Sequence, residues 1–330
     1  DRKMTKRNEC LNLLKCAACF GVVFIHVPFP GYLGDVIKSL SMFAVPLFYM
    51  IAGYYSYGCD YEKIKRRFIK ICKIFVFGYV LHFAFYLLMA VSEGTTREWF
   101  SENFGLKSIV LFFVFCIVKF SVPLWYLIAM AETYLFWMIV TKTGKQDKAV
   151  RFTYVLLLAG AVLTTVLLSK EINNYSYIFI FRALPWFMLG YLFKSKYEAA
   201  LKGISNVFIL IPVIIGWLIS TSSNILDLPV KYHYVGVLVT APAIFLIGIK
   251  NSGISTPKSI SYIGDKLSLF IYIIHLPVSL ILIFVESHMG INDDSVILYI
   301  HPLLTLVVTI IGSAMLELIF RNEKLRKLIY

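Results

Sequence analysis

Charge is scarce in this chain. Asp, Glu, Lys and Arg make up 15% of its 330 residues, against about 25% in soluble domains, and that scarcity excludes a soluble globular enzyme. Acidic residues are the scarcer kind, 19 against 32 Lys and Arg. The six cysteines (Cys10, Cys16, Cys19, Cys59, Cys72, Cys116) do not form a disulfide framework, since they lie within or beside apolar runs rather than in long loops; free thiols are expected. Cys16 and Cys19 make a C-x-x-C inside an apolar helix, but no His or carboxylate stands at zinc spacing, so no metal is expected. There is no low-complexity segment, no clear internal repeat, no evident cleavable signal peptide, and nothing like the two inverted halves of a transporter.

What is abundant is apolar surface. The chain is 59% hydrophobic with 27 Phe and 21 Tyr, which excludes disorder and leaves the bilayer as solvent. A transmembrane helix needs about 20 apolar residues. Apolar runs mark spans at 10–28, 37–57, 68–91, 106–118, 122–141, 152–169, 177–193, 206–222, 235–249, 267–285 and 296–319, of which 106–118 is too short to cross.

Basic residues sort these spans by side. One side collects 23 of them: Arg2, Lys3, Lys6 and Arg7, then Lys63, Lys65, Arg66, Arg67 and Lys70, and four later clusters ending at Lys327. The other side receives six (Lys38, Arg97, Lys107, Lys119, Lys170, Lys231). The expectation is an all-α polytopic membrane protein with about ten transmembrane helices, one short re-entrant or interfacial segment and both termini cytoplasmic. Residues 1–330 would form a single integral-membrane domain with no soluble domain. The net charge of +13 then belongs to loops facing lipid headgroups, and nucleic acid is not expected as a partner.

Ionisable residues inside spans cost roughly 2.5–3.5 kcal/mol at the centre, so they form the functional shortlist. The first span carries Asn8, Asn12, Lys15, Cys19 and His26. Lys15 and His26 are eleven residues apart, which returns them to one helix face about 16 Å apart along the axis. That face is expected to line an aqueous or ligand-filled path, against the alternative of a snorkelling Lys15 and an interfacial His26. Glu132 follows Trp125 and Tyr126 in the fifth span, Arg182 sits in the seventh, and His275 in the tenth. Arg182 cannot shed its charge and needs an anion or a carbonyl-rich pocket, with Glu132 one candidate partner. His82 reads as a hydrogen-bonded packing residue and Glu317 as interfacial; His233, His288 and His301, in or near outer loops, are given no chemistry. The basic run with Lys63, Arg66, Arg67 and Lys70 is either headgroup-facing or a polyanion site built for phosphate. The outer loops, with Glu93, Glu98, Glu102, Asp293 and Asp294, define no sugar groove.

Several of these stretches carry a resemblance. The run Leu11-Asn-Leu-Leu-Lys15, closing eleven residues later at His26, resembles the opening of the membrane acyltransferase 3 family, where a basic residue, ten others and a histidine occupy the first span. Val45-Pro-Leu-Phe-Tyr-Met-Ile-Ala-Gly-Tyr-Tyr55 is similar to the family's second-span motif, with Ala52 where Ser is commoner. Arg67-Phe-Ile-Lys70 resembles its Arg-x-x-Arg, and Pro123-Leu-Trp-Tyr-Leu127 its Leu-Trp-Phe signature. Residues 182–191, with Arg182, Pro185, Phe187, Gly190 and Tyr191, and the pair Tyr262-Ile-Gly264 and Tyr272-Ile-Ile-His275 resemble later segments. Gly34-Asp35 and Phe43-Ala-Val-Pro46 look closest to Gram-positive O-acetyltransferase branches, including the membrane domains of vancomycin-resistance serine racemases.

The resemblance implies transfer of an acyl group, usually acetyl, from cytoplasmic acetyl-CoA as co-substrate to a hydroxyl of a cell-envelope glycan or small molecule. The setting it implies is a multi-pass protein of the bacterial plasma membrane; a homo-oligomer is left open. His26 would be general base, with Lys15, Glu132, Arg182 and His275 in the catalytic set. Lys63, Arg66, Arg67, Lys70 and Lys15 would hold the acyl-CoA, and Trp125, Tyr126 and Arg182 the acceptor. Lys15 and Lys70 keep the family's charge but lose the planar fork of Arg. The rival function is a transporter of a small solute such as serine, without acyl transfer.

Overall fold

The computed structural model describes residues 8–170, 172, 177–201, 203–226, 228, 233–291 and 295–329, and only the backbone at 223, 224, 233, 295, 328 and 329. Arg2, Lys3, Lys6, Arg7, Lys202, Lys231, Asp293 and Asp294 fall outside the described residues. Among those described, every regular element is helical. The twelve longer helices that matter below are α1 (Glu9–His26), α2 (Gly31–Ser41), α3 (Ala44–Tyr54), α4 (Tyr61–Ser92), α5 (Leu106–Phe115), α6 (Trp125–Lys142), α7 (Thr153–Ser169), α8 (Leu184–Leu192), α9 (Asn206–Ile225), α10 (His233–Lys250), α11 (Ser268–His288) and α12 (Ser295–Ile319). Side chains cap the starts of α1 and α4: Asn8 Oδ1 accepts from the Leu11 amide at 2.9 Å and Asp60 Oδ1 from the Lys63 amide at 2.7 Å, each satisfying an orphan donor of the first turn.

Among the described residues, seven helical rods are long and apolar enough to cross a membrane: Glu9–His26, Gly31–Tyr54, Tyr61–Ser92, Val122–Lys142, Gln146–Ser169, Lys258–His288 and Val296–Ile319. The chain is a polytopic helical membrane protein. Three shorter apolar helices, Leu106–Phe115, Asn206–Ser222 and Tyr234–Lys250, accompany the seven. The first of these is the segment expected to be too short. Its ten residues reach about 15 Å, half a hydrocarbon core, and Cys116 ends it in the left-handed conformation at φ 58°.

Elsewhere the apolar runs misjudge the ends. The run 177–193 is not one helix, because Phe179–Arg182 and α8 are separate and a π-helical turn, Phe193–Tyr197, follows. The fourth helix starts at Tyr61, so the basic run 63–70 is its first two turns rather than a loop.

The contacts divide the chain into two compact units. One comprises residues 1–51 and 193–319. In it α1 packs against α2, α10, α11 and the π-helical turn Ile263–Leu267, α11 against α12, and α9 against α10. A core of Cys19, Val23, Leu267, Ile271 and Leu306, flanked by Phe20, Phe24 and Phe48, fills the space between them. The π-turn approaches α1 so closely that a Cβ on Gly264 would overlap the Asn12 carbonyl. Glycine is required there for packing, not for its dihedral freedom.

The other unit comprises residues 52–192 and 320–330. Its α4 packs on α6, and α7 on α8 and on Phe179–Arg182. Phe187 of α8 meets Tyr134 at 5.6 Å and Trp137 at 5.1 Å between ring centroids, both on α6. The last helix, Glu323–Ile329, lies along α4, where Lys73 Nζ donates to the Lys327 carbonyl at 2.9 Å. This supplies a partner for a cation that sequence leaves inside a span.

Gly264→Ala should overpack the α1 contact and destabilise the protein by roughly 1–3 kcal/mol. Thermal unfolding of purified protein in detergent checks this; an unchanged midpoint would contradict the close approach.

Candidate active site

In the first unit, α1 carries Lys15 and His26 on one face as expected, and the residues between them decide what that face is. Cys19 and Val22 are buried, and Cys19 belongs to the hydrophobic core with its thiol directed at the Ser268 carbonyl, 3.8 Å away. The stretch between Lys15 and His26 is therefore packed, correcting the expectation of a continuous aqueous face. Lys15 is half-buried and donates to Asn12 Oδ1 at 3.2 Å, while Asn12 Nδ2 donates to Ser261 Oγ at 3.2 Å. Asn8, besides capping α1, donates through Nδ2 to the Gly248 carbonyl at 3.0 Å. These polar groups join α1 to α10 and to the short helix Lys258–Tyr262.

At the far end of α1, His26 meets His275 of α11. Their ring centroids are 5.2 Å apart with planes inclined at 40°. The structure thus brings together two residues singled out separately on different spans. His275 is fully buried, and its Nδ1 lies 2.8 Å from the Tyr272 carbonyl and 3.2 Å from that of Ile271. Carbonyls only accept, so Nδ1 carries the hydrogen and the neutral ring keeps its lone pair at Nε2. His26 is half-buried, and no hydrogen bond holds its ring among the described residues.

In the second unit, Arg182 lies over two aromatic rings, with Cζ 5.6 Å from the Trp125 centroid and 5.2 Å from that of Tyr177. Trp125 and Tyr177 are themselves 4.8 Å apart. The guanidinium thus has a cation–π partner on each ring. Trp125 is buried and Tyr126 half-buried at the start of α6. Tyr177 escaped sequence reasoning, because it stands just ahead of the short helix Phe179–Arg182 with no spacing that ties it to Trp125. Glu132, a candidate partner for Arg182, has another: its Oε2 accepts from the Cys116 thiol at 3.2 Å. The left-handed turn at Cys116 aims that thiol back at α6. His82 is buried with Ser121 Oγ 2.6 Å from its Nδ1, the hydrogen-bonded packing role expected of it. Glu317 is more than interfacial, since it accepts from the Tyr262 hydroxyl at 2.7 Å in the first unit.

The basic run divides by role. Arg67 folds back on the turn before α4, donating from Nη1 to Ser56 Oγ at 2.7 Å and from Nη2 to the Tyr55 carbonyl at 2.8 Å. It is tied inward, not held out for a phosphate. Lys63 and Arg66 are exposed and Lys70 half-buried. Spacings of three and four place these three on one face over about 10 Å of helix, a length that suits a chain of phosphates.

A family model for an acyltransferase domain, acyltransferase 3, matches residues 8–319. No curated protein and no solved structure matches the chain.

Arg67→Ala should remove both bonds to the 55–56 turn and destabilise the protein by roughly 1–3 kcal/mol, whereas Arg66→Ala should leave unfolding unchanged. Denaturation of the two variants in the same detergent separates them; equal losses would show that Arg67 has no special tie.

Proposed function

The chain belongs to the acyltransferase 3 family, and from that premise we propose that it transfers an acyl group, chiefly acetyl, from cytoplasmic acyl-CoA to a hydroxyl of a cell-envelope glycan or small molecule. The observation that carries this is the meeting of His26 and His275 within a family of acyl-transferring proteins. An imidazole whose ring nitrogens make no hydrogen bond is suited to take a proton from an arriving hydroxyl. His26 removes the acceptor's proton as its oxygen attacks the thioester carbonyl. The tetrahedral intermediate collapses with loss of the CoA thiolate, which is protonated as it leaves. His275, with Nδ1–H fixed on the α11 backbone, offers Nε2 to receive a proton from the His26 imidazolium.

The remaining residues bind. Lys63, Arg66 and Lys70 hold the phosphates of acyl-CoA; Arg67 shapes the turn beside them. Trp125, Tyr177 and Arg182, with Tyr126 following on α6, form an aromatic and cationic surface suited to a sugar ring or to developing negative charge. We place the protein in the bacterial cytoplasmic membrane with about ten spans, the basic clusters and both termini on the cytoplasmic side, and we expect no metal.

Two measurements test the assignment. With purified protein in nanodiscs, His26→Ala should reduce steady-state CoA release from acetyl-CoA by at least about 100-fold, within the usual range for a general base, while thermal unfolding stays the same. Retention of more than roughly a few per cent of turnover would remove His26 as the base. Lys63→Ala with Arg66→Ala should weaken acetyl-CoA binding by about tenfold at low salt and flatten its salt dependence, read by calorimetry. Unchanged affinity would remove this face as the phosphate site, and no acetyl-CoA binding by the wild type would turn the question to serine uptake.

A further inference from the structure

One polar cluster lies outside everything assigned so far. It joins α11 to α12 within the first unit. Ser279 Oγ is 3.0 Å from His301 Nε2, and His301 Nδ1 is 2.9 Å from Glu286 Oε1 and 3.0 Å from Oε2. A carboxylate accepts, so His301 carries its hydrogen on Nδ1, and Nε2 is then the acceptor of the Ser279 hydroxyl. The order is hydroxyl, imidazole, carboxylate: a nucleophile bonded to a base that a third group orients. Thr305 Oγ1 also approaches Nε2, at 3.4 Å, but Ser279 is nearer. His301 is given no chemistry in sequence because it stands near an outer loop, yet it lies inside α12, two turns from its start.

Several helical hydroxyls in this chain behave differently. Ser41, Thr133 and Ser169 each return their proton to the carbonyl four residues earlier in the same helix, the usual fate of Ser and Thr in helices. Ser279, buried at 5% exposure, has the carbonyl of His275 in that position and bonds to His301 instead. Its hydroxyl is thus committed to a base on a neighbouring helix. Placement adds a second argument: Ser279 is one turn beyond His275 on α11, about 6 Å along the axis, and His275 is the ring beside His26. Glu286, seven residues after Ser279, returns to the same face.

We propose that Ser279 is an acyl-accepting nucleophile, activated by His301 and positioned through Glu286, that carries the acyl group from a thioester donor toward the acceptor. The scheme deepens the acyl-CoA reading above, replacing its direct attack on the thioester by two half-reactions, and rests on it for the identity of the donor. In the first half-reaction Oγ bonds to the acyl carbon, its proton passes to His301 Nε2, and the C–S bond breaks to release the thiolate. Glu286 balances the imidazolium charge. In the second, the acceptor oxygen, its proton taken by His26, bonds to the acyl carbon; the Oγ–C bond breaks and Ser279 recovers its proton from His301. The proton left on His26 balances the one the thiolate takes up, so one thioester and one alcohol give one ester and one thiol.

The test uses an alkyl fluorophosphonate on the full chain in nanodiscs, with adducts located by peptide mass spectrometry. It needs no acyl-CoA. The expected result is an adduct on Ser279 that forms at least about 100-fold more slowly in His301→Gln and about tenfold more slowly in Glu286→Gln, the second variant serving if the first does not fold. Absence of an adduct on Ser279 in the wild type, or equal rates in folded wild type and either variant, would overturn the proposal. Labelling of Ser279 in a protein that neither binds acetyl-CoA nor releases CoA from it would support the nucleophile and place the failure in the choice of donor.

Discussion

Inside a hydrocarbon solvent a polar group has no water to fall back on, and each one left unsatisfied costs several kcal/mol. Every polar side chain in the helices of this chain is subject to that condition. It explains why many of them occur as bonded sets. Asn8, Asn12 and Lys15 cannot each face lipid, so they bond to the Gly248 carbonyl, to Ser261 and to one another, and in doing so tie α1 to its neighbours. The same condition sets His82 against Ser121 and Glu132 against Cys116, and lays the Arg182 guanidinium over Trp125 and Tyr177. Each set joins two segments of chain. Polar groups here specify which helices meet, a role that apolar packing alone performs poorly when the solvent is itself apolar.

This condition also separates what was legible in the sequence from what was not. Residues that must avoid water or must avoid lipid announce themselves by type, so the helical membrane class and the short element at 106–115 could be read directly. His26, Arg182 and His275 could be singled out on the same ground, and the order of motifs led to the family that matches residues 8–319. Partners do not announce themselves. Nothing in the spacing of Arg67 shows that it turns back to Ser56, since that bond depends on the path of the chain through residues 55–60. Nothing in Glu132 shows that a left-handed residue sixteen positions earlier will present a thiol to it.

A helical wheel has a related limit. It places Lys15 and His26 on one face correctly but cannot say what covers the face between them, and Cys19 and Val22 are buried there. Helix ends fail for another reason: hydropathy stops where charge begins, whereas a backbone in αR continues through Lys63, Arg66 and Lys70 because such residues are good helix formers.

The histidines show how the same condition selects a base. A ring nitrogen that satisfies a structural bond is committed, and its proton is fixed by its partner. His82 commits Nδ1 to Ser121, His275 commits Nδ1 to two carbonyls, and His301 commits Nδ1 to Glu286 and Nε2 to Ser279. His26 commits neither nitrogen among the described residues, and it is half-buried. An imidazole kept at the end of an otherwise bonded helix, with a ring neighbour but no hydrogen-bond partner, gains nothing for the fold that an apolar residue would not supply. What such a ring retains is the freedom to exchange a proton with something that arrives. Lys15, by contrast, is held by Asn12 about three turns away, too far to share in that exchange and well placed to meet an anionic portion of a long ligand. On one helix, then, the tied cation suits binding and the untied imidazole suits chemistry.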